Sequence, residues 1–259
     1  FDLAGDDVIS FGLGEPDFQP PNIAIEAFYQ AMKDGHNKYT TTAGLPALRQ
    51  QIAESWGAYQ EGLNSDNVCI TMSGTNAILN LFLTLVNPGD NVLIPEPYFP
   101  LYGPDAKLCG GDAKYYPCFF EDEFVPKVEN LEKLIDENTV AILYNFPSNP
   151  TGGTLNLEQR DALLEFAKKH DLWVITDEVY DRIVFEGEHV SFMGTGYEKV
   201  LLINSFSKTF AMTGWRLGYV MSTNLDAMKQ IIKMQYYMTA CSNDAMQYGV
   251  LTAMQEASD

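Results

Sequence analysis

Residues 140–177 read VAILYNFPSNPTGGTLNLEQRDALLEFAKKHDLWVITD, and this stretch sets the expected fold. It opens with a short apolar run, Val140 to Asn145, followed by a turn-forming segment, Pro147-Ser148-Asn149-Pro150-Thr151-Gly152. Leu157 to His170 then carries apolar residues at helical spacing, and Trp173 to Thr176 is a second apolar run. Strand, helix and apolar strand in that order form the βαβ unit of a mostly parallel sheet.

Working outward, the same rhythm places further strands at Val68 to Met72, Val92 to Ile94, Ala113 to Tyr116, Val200 to Asn204 and Leu217 to Met221. A helix is expected where Leu45, Leu48, Ile52, Trp56 and Tyr59 recur at three and four, with Pro46 in its first turn. Asn76 to Val86 and Leu225 to Gln235 read as helices too, the first stopped by Asn87-Pro88-Gly89-Asp90. The expected fold is α/β: a mostly parallel seven-stranded sheet flanked by helices. No repeat or flexible linker divides it. The two ends read as cut: Phe1 lies only a few residues before an apparent strand, and a helix over Ala245 to Glu256 has no packing partner after it.

Sixteen Lys+Arg against 35 Asp+Glu give a formal charge of -19, which repels nucleic acid and anionic membranes. Cys69, Cys109, Cys118 and Cys241 are scattered, without the close pairing of zinc or redox motifs, and fit a reducing cytoplasm. His36, His170 and His189 form no metal-binding pattern. No apolar stretch is long enough to span a bilayer, and no export signal is seen.

Ligands of an open parallel sheet sit beyond the carboxyl ends of its strands. Four strands here run into polar groups there: Ser73-Gly74-Thr75, the turn holding Asn149, Asp177-Glu178-Val179-Tyr180, and Ser205-Phe206-Ser207-Lys208. Each also has a purely structural reading, as an N-cap, a turn, a cap or a packed tyrosine. Lys208 differs in degree. Between Val200 and Thr223 the charged residues are Lys208 and Arg216, among Phe206, Phe210, Met212, Trp215 and Leu217. A lysine partly removed from water has a lowered pKa and is a usable nucleophile, whereas a snorkelling surface lysine is the structural alternative. Arg216 offers a planar fork suited to phosphate oxygens.

The run Ser205-Phe206-Ser207-Lys208-Thr209-Phe210-Ala211-Met212-Thr213-Gly214-Trp215-Arg216-Leu217-Gly218-Tyr219 resembles the cofactor-lysine motif of the fold-type I, class I and II aminotransferases. These enzymes, the aspartate-aminotransferase-like group, depend on pyridoxal 5'-phosphate (PLP). Tyr39 with Gly44 to Arg49, Ser73-Gly74-Thr75, Pro97-Tyr98-Phe99, Asn149-Pro150-Thr151-Gly152 and Asp177-Glu178-Val179-Tyr180 join it in the family's order. The resemblance implies transfer of an amino group between an L-amino acid and a 2-oxo acid by a ping-pong route. Lys208 would hold PLP as an imine and move the substrate's α-proton, and Asp177 would keep the ring nitrogen protonated. Tyr180 and Asn149 would bond the phenolic oxygen, and Phe99, or else Tyr98, would stack on the ring. Ser73, the Gly74 amide, Thr75, Ser205, Ser207 and Arg216 would grip the phosphate. Tyr39 would reach the phosphate of a partner subunit, making a homodimer with shared sites. Gly14, in Gly12-Leu13-Gly14-Glu15-Pro16-Asp17, would approach the substrate carboxylate, as would Asn149.

The resemblance implies that residues 1–20 belong to a small domain and 21–259 to the PLP-binding large domain. The C-terminal part that completes the small domain and supplies the carboxylate-binding arginine would lie beyond residue 259. The same cofactor site serves C–S β-lyases and aminocyclopropane-carboxylate synthases on this scaffold, and a non-catalytic PLP-binding sensor domain is a further alternative. The Asn149-Pro150-Thr151-Gly152 context looks more like the aminotransferases.

Overall fold

A computed structural model describes residues 14–257; the apparent strand near Phe1, and Gly12 and Leu13 of the glycine-containing segment, lie outside the described residues. In chain order the helices are α1 (Asn22–Lys33), α2 (Pro46–Ser55), α3 (Gly74–Leu85), α4 (Tyr102–Leu108), α5 (Val128–Leu131), α6 (Leu157–Lys169), α7 (Phe206–Thr209), α8 (Leu225–Thr239) and α9 (Asp244–Glu256). The strands are β1 (Val68–Thr71), β2 (Asn91–Glu96), β3 (Asp112–Pro117), β4 (Thr139–Asn145), β5 (Trp173–Asp177), β6 (Val200–Ser205) and β7 (Gly218–Met221). They form one seven-stranded sheet in the order β1-β7-β6-β5-β4-β2-β3. Only β7 runs against its neighbours β1 and β6.

The expected architecture is present, with three differences of detail. The α2 helix ends at Ser55, leaving Trp56 and Tyr59 in the turn after it, because Trp56 turns inward and its indole N–H donates to the Tyr219 hydroxyl at 2.8 Å. Four helices that periodicity did not single out, α1, α4 and the single-turn α5 and α7, are present. Finally, α9 packs back on α1 and α2, so its partners precede it in the chain.

Side-chain alternation distributes the core over both faces of the sheet. Ala141 and Leu143 of β4 join Ala77, Ile78, Leu81 and Phe82 of α3 on one face, whereas Ile142 and Tyr144 join Leu163, Leu164 and Phe166 of α6 on the other. A third cluster seats Leu48 and Ile52 of α2 and Val250 of α9 against β1 and β7. Complete burial of such side chains stabilises by about 1.5–3 kcal/mol each. With both faces covered, the polar ends of the strands are where the chain can place chemistry, and they gather along one edge.

Candidate active site

The α3 N-terminus is built from a strained residue. Ser73 has φ 107 and ψ 165, a conformation found almost only for glycine, which costs on the order of 1–3 kcal/mol and marks functional turns. Its Oγ accepts the Asn76 N–H at 3.2 Å, leaving the hydroxyl proton to offer elsewhere. The first amides of α3, those of Gly74 and Thr75, have no carbonyl one turn back to receive them. Packing of this corner is close. A Cβ at Gly218 would lie 2.7 Å from the Gly74 nitrogen, so the bare backbone of β7 is what lets the corner sit against it. Gly74 in turn borders Ser205 and Val179, each 3.5 Å from where its own Cβ would stand.

Ser205 ends β6 and caps α7, accepting the Ser207 N–H at 3.1 Å, and Lys208 follows within that single turn. The Lys208 ammonium donates to the Gly14 carbonyl and lies 5.6 Å from the centre of the Tyr180 ring. Partial burial lowers its pKa, and Glu15 nearby pulls it back up. The Tyr180 hydroxyl is 3.5 Å from the Asn149 amide, and burial, with the Asp177 charge second, raises the phenol's pKa. Arg216 takes a left-handed conformation, φ 55, and its exposed guanidinium donates to the Thr213 carbonyl at 2.7 Å.

Asp177, the last residue of β5, is only 5% exposed. Burial pushes its carboxyl up to about 6, against the pull of the Tyr102 hydroxyl at 2.8 Å and the Val179 N–H at 3.2 Å. Phe99 packs edge-to-face on Tyr102 with ring centres 5.6 Å apart, which ties Phe99 to the Asp177 side of the site. Tyr98 instead stacks on Tyr115 at 5.1 Å. Tyr39 is apart from all of these. It is 87% exposed and lines a groove with His36, Lys38 and the first residues of α9.

Ser73, Gly74, Ser205, Ser207, Lys208, Gly14, Tyr180, Asn149, Asp177 and Phe99 are thus linked by contacts along one edge of the sheet, with Thr75 on the first turn of α3 and Arg216 one loop beyond Lys208. Sequence reasoning did not single out Tyr102, Asn145 or Asn204, whose side chains hold this edge together. Tyr102 carried a signal only in following Pro97-Tyr98-Phe99 closely; the two asparagines read as the ends of strands.

The sequence model of the family described as aminotransferase class I and II matches residues 6–259. The chain belongs to that family. It is 36% identical to the aspartate aminotransferase of Thermotoga maritima over 254 residues, 97% of this chain and 67% of that protein. A solved structure of an aspartate aminotransferase from Thermotoga maritima, also 36% identical, superposes with a TM-score of 0.92 over 96% of this chain and 67% of that one. The aromatic aminotransferase of Pyrococcus horikoshii, 34% identical, gives 0.91 over 99% of this chain and 69% of that one. The chain spans about two thirds of the length of the relatives it matches.

Class I and II aminotransferases depend on PLP, and the donor set fits that cofactor on this chain's own geometry. Asp177 is a buried carboxylate with two hydrogen-bond donors and no ion pair among the described residues, a place that favours a cation such as a protonated pyridine nitrogen. The Ser73 corner, with Ser205, Ser207 and Arg216, offers hydroxyls, a helix N-terminus and a guanidinium of the kind that bind phosphate. No helix of the described residues is long and apolar enough to cross a membrane.

Proposed function

We propose that this chain carries the PLP-binding part of an enzyme that moves an amino group between an L-amino acid and a 2-oxo acid. The observation that carries the reading is a half-buried lysine beside the Tyr180 ring, whose hydroxyl meets the Asn149 amide and whose phenol feels the charge of the buried, uncompensated Asp177 carboxylate. When bound, PLP supplies an electron sink that makes loss of the substrate's α-proton feasible. Lys208 holds the cofactor through its amine and carries that proton at Nζ, for which partial burial suits it by lowering its proton affinity. Asp177 holds a proton on the ring nitrogen, because a carboxylate out of water favours a cation beside it. Asn149 and Tyr180 donate to the phenolic oxygen, Phe99 covers the ring, and Ser73, Gly74, Thr75, Ser205, Ser207 and Arg216 bind the phosphate. Gly14 and Asn149 border the substrate carboxylate; the contact of Gly14 with Lys208 supports this.

In this reading residues 21–259 form the cofactor domain and residues 1–20 begin a small domain, completed by sequence equivalent to the remaining third of the relatives. The protein acts in the cytoplasm as a homodimer, and the exposure of Tyr39 supports its reaching a partner's phosphate.

The test uses the full-length protein loaded with PLP. Borohydride reduction and peptide mapping are expected to find the cofactor on Lys208, and individual amino acids to convert it to its amine form with release of the matching 2-oxo acid. A reduced cofactor on another lysine refutes the site. Release of pyruvate and a thiol from cysteine conjugates, without conversion to the amine form, favours the β-lyase alternative.

A further inference from the structure

Asn145 and Asn204 occupy matching places on the two strands that flank β5. Asn145, the last residue of β4, stands opposite Asp177 in register. Its amide donates to the Asp177 carbonyl at 3.0 Å and to the Pro147 carbonyl at 3.3 Å, while its Oδ1 accepts the Asn149 N–H at 2.8 Å. Asn204, next to last in β6, donates to the Glu178 carbonyl at 3.0 Å, and its Oδ1 accepts the Ser205 N–H at 2.6 Å. Both side chains are buried. Two consecutive carbonyls at the end of β5 are therefore held from opposite sides; the Oδ1 of Asn145 also fixes the turn at Asn149, and that of Asn204 the Ser205 amide at the end of its own strand.

The fixed backbone positions belong to Asn149, Asp177 and Ser205, which the proposed function places on the phenolic oxygen, the ring nitrogen and the phosphate. An ordinary cap would satisfy one buried carbonyl; these two amides lock three strand ends to one another. A shift of about half an ångström in such a constellation loosens a site. We infer that Asn145 and Asn204 are paired positioning residues that set the spacing of Asn149, Asp177 and Ser205 around the cofactor.

This inference rests on the reading of Lys208 as the PLP site. Full-length wild-type protein is compared with Asn145→Ala, Asn204→Ala and the control Asn80→Ala. Asn80 is also a buried asparagine joining two elements, bonding Ile231 and Gln235 of α8 from α3. Three quantities are read: the dissociation constant for PLP, the pH midpoint of the visible band of Lys208-bound cofactor, and the melting temperature. Both site variants are expected to bind PLP at least about tenfold more weakly, the scale on which supporting shells act, and to shift the band's midpoint. Asn80→Ala is expected to lower only the melting temperature. Wild-type affinity and midpoint in either site variant would overturn the pairing and leave that asparagine a structural cap. Where an alanine variant does not fold, Asn145→Ser or Asn204→Ser carries the same comparison. A wild-type protein that never attaches PLP to Lys208 refutes the functional reading instead, so the two failures are distinguishable.

Discussion

In the proposed function Asp177 serves the cofactor at a cost in stability. Its pKa rises from 3.8 to about 6 on folding, chiefly through burial. Below the unfolded value both states are protonated, so the group is neutral to stability. Between about 4 and about 6 the folded chain keeps a proton that the unfolded chain has released, and above that both are ionised and the full penalty applies. In the cofactor-free protein this contribution to stability therefore falls as pH rises from 4 to 6 and then levels, by roughly 3 kcal/mol for a shift of this size. Asp177→Asn keeps both neighbours bonded, since its amide can accept from Val179 and donate to the Tyr102 oxygen. Cofactor-free Asp177→Asn is expected to be more stable than wild type near pH 8 by up to about that amount, with the gain gone near pH 4. The same variant, loaded with PLP, is expected to lose roughly two or more orders of magnitude in the half-reaction rate. Denaturation at the two pH values and single-turnover kinetics check both halves. A near-normal rate would leave Asp177 a structural cap.

At the scale of elements, helix starts divide into those that hold the fold and one, at α3, that the proposed function gives to the phosphate. The α6 helix begins with a reciprocal capping box: the Asn156 side chain accepts the Gln159 N–H at 2.9 Å, and Gln159 returns the bond to the Asn156 N–H at 2.8 Å. Lys168 and Lys169 in its last turn complement the negative end of the helix dipole. Asn156→Ala is expected to cost about 1 kcal/mol and to lower the melting temperature by roughly 2–4 °C, with PLP affinity unchanged. Thermal melts and a PLP titration of the one variant test this, and a lost affinity would show that α6 supports the site after all. The α3 helix uses the same kind of side-chain cap but from a strained residue, Ser73, whose conformation an unstrained cap would not need. Local sequence reads Ser73 as an ordinary cap, and only the backbone angle marks it out.

At the scale of the whole molecule Tyr39 stands out: it is 87% exposed and lines a groove with His36, Lys38 and the first residues of α9. The shared-site reading predicts complementation. Mixing a Lys208→Ala chain with a Tyr39→Phe chain gathers both lesions into one pocket of the heterodimer and leaves the other pocket undamaged, so activity is expected to exceed that of either parent. If heterodimers form and activity stays at the parents' level, Tyr39 does not serve a neighbouring site.

The strand-and-helix rhythm, the burial of the strands and the family motif around Lys208 were all legible in the amino-acid order. These are local properties: apolar period, turn residues and a run of contiguous motif positions survive in any part of the chain read alone. Tertiary structure decided what meets what. That β7 runs antiparallel between β1 and β6 follows from how the faces pack, and no local pattern encodes it. Tyr102 reaches Asp177 across 75 residues of sequence because α4 and β5 share a core cluster, not because of any spacing between them. Asn145 and Asn204 were legible as strand ends but not as partners of β5, since an asparagine's bonds depend on the strand order that places a carbonyl beside it. Trp56, apolar at the right period to continue α2, left the helix because the Tyr219 hydroxyl, brought close by β7, bonded its indole.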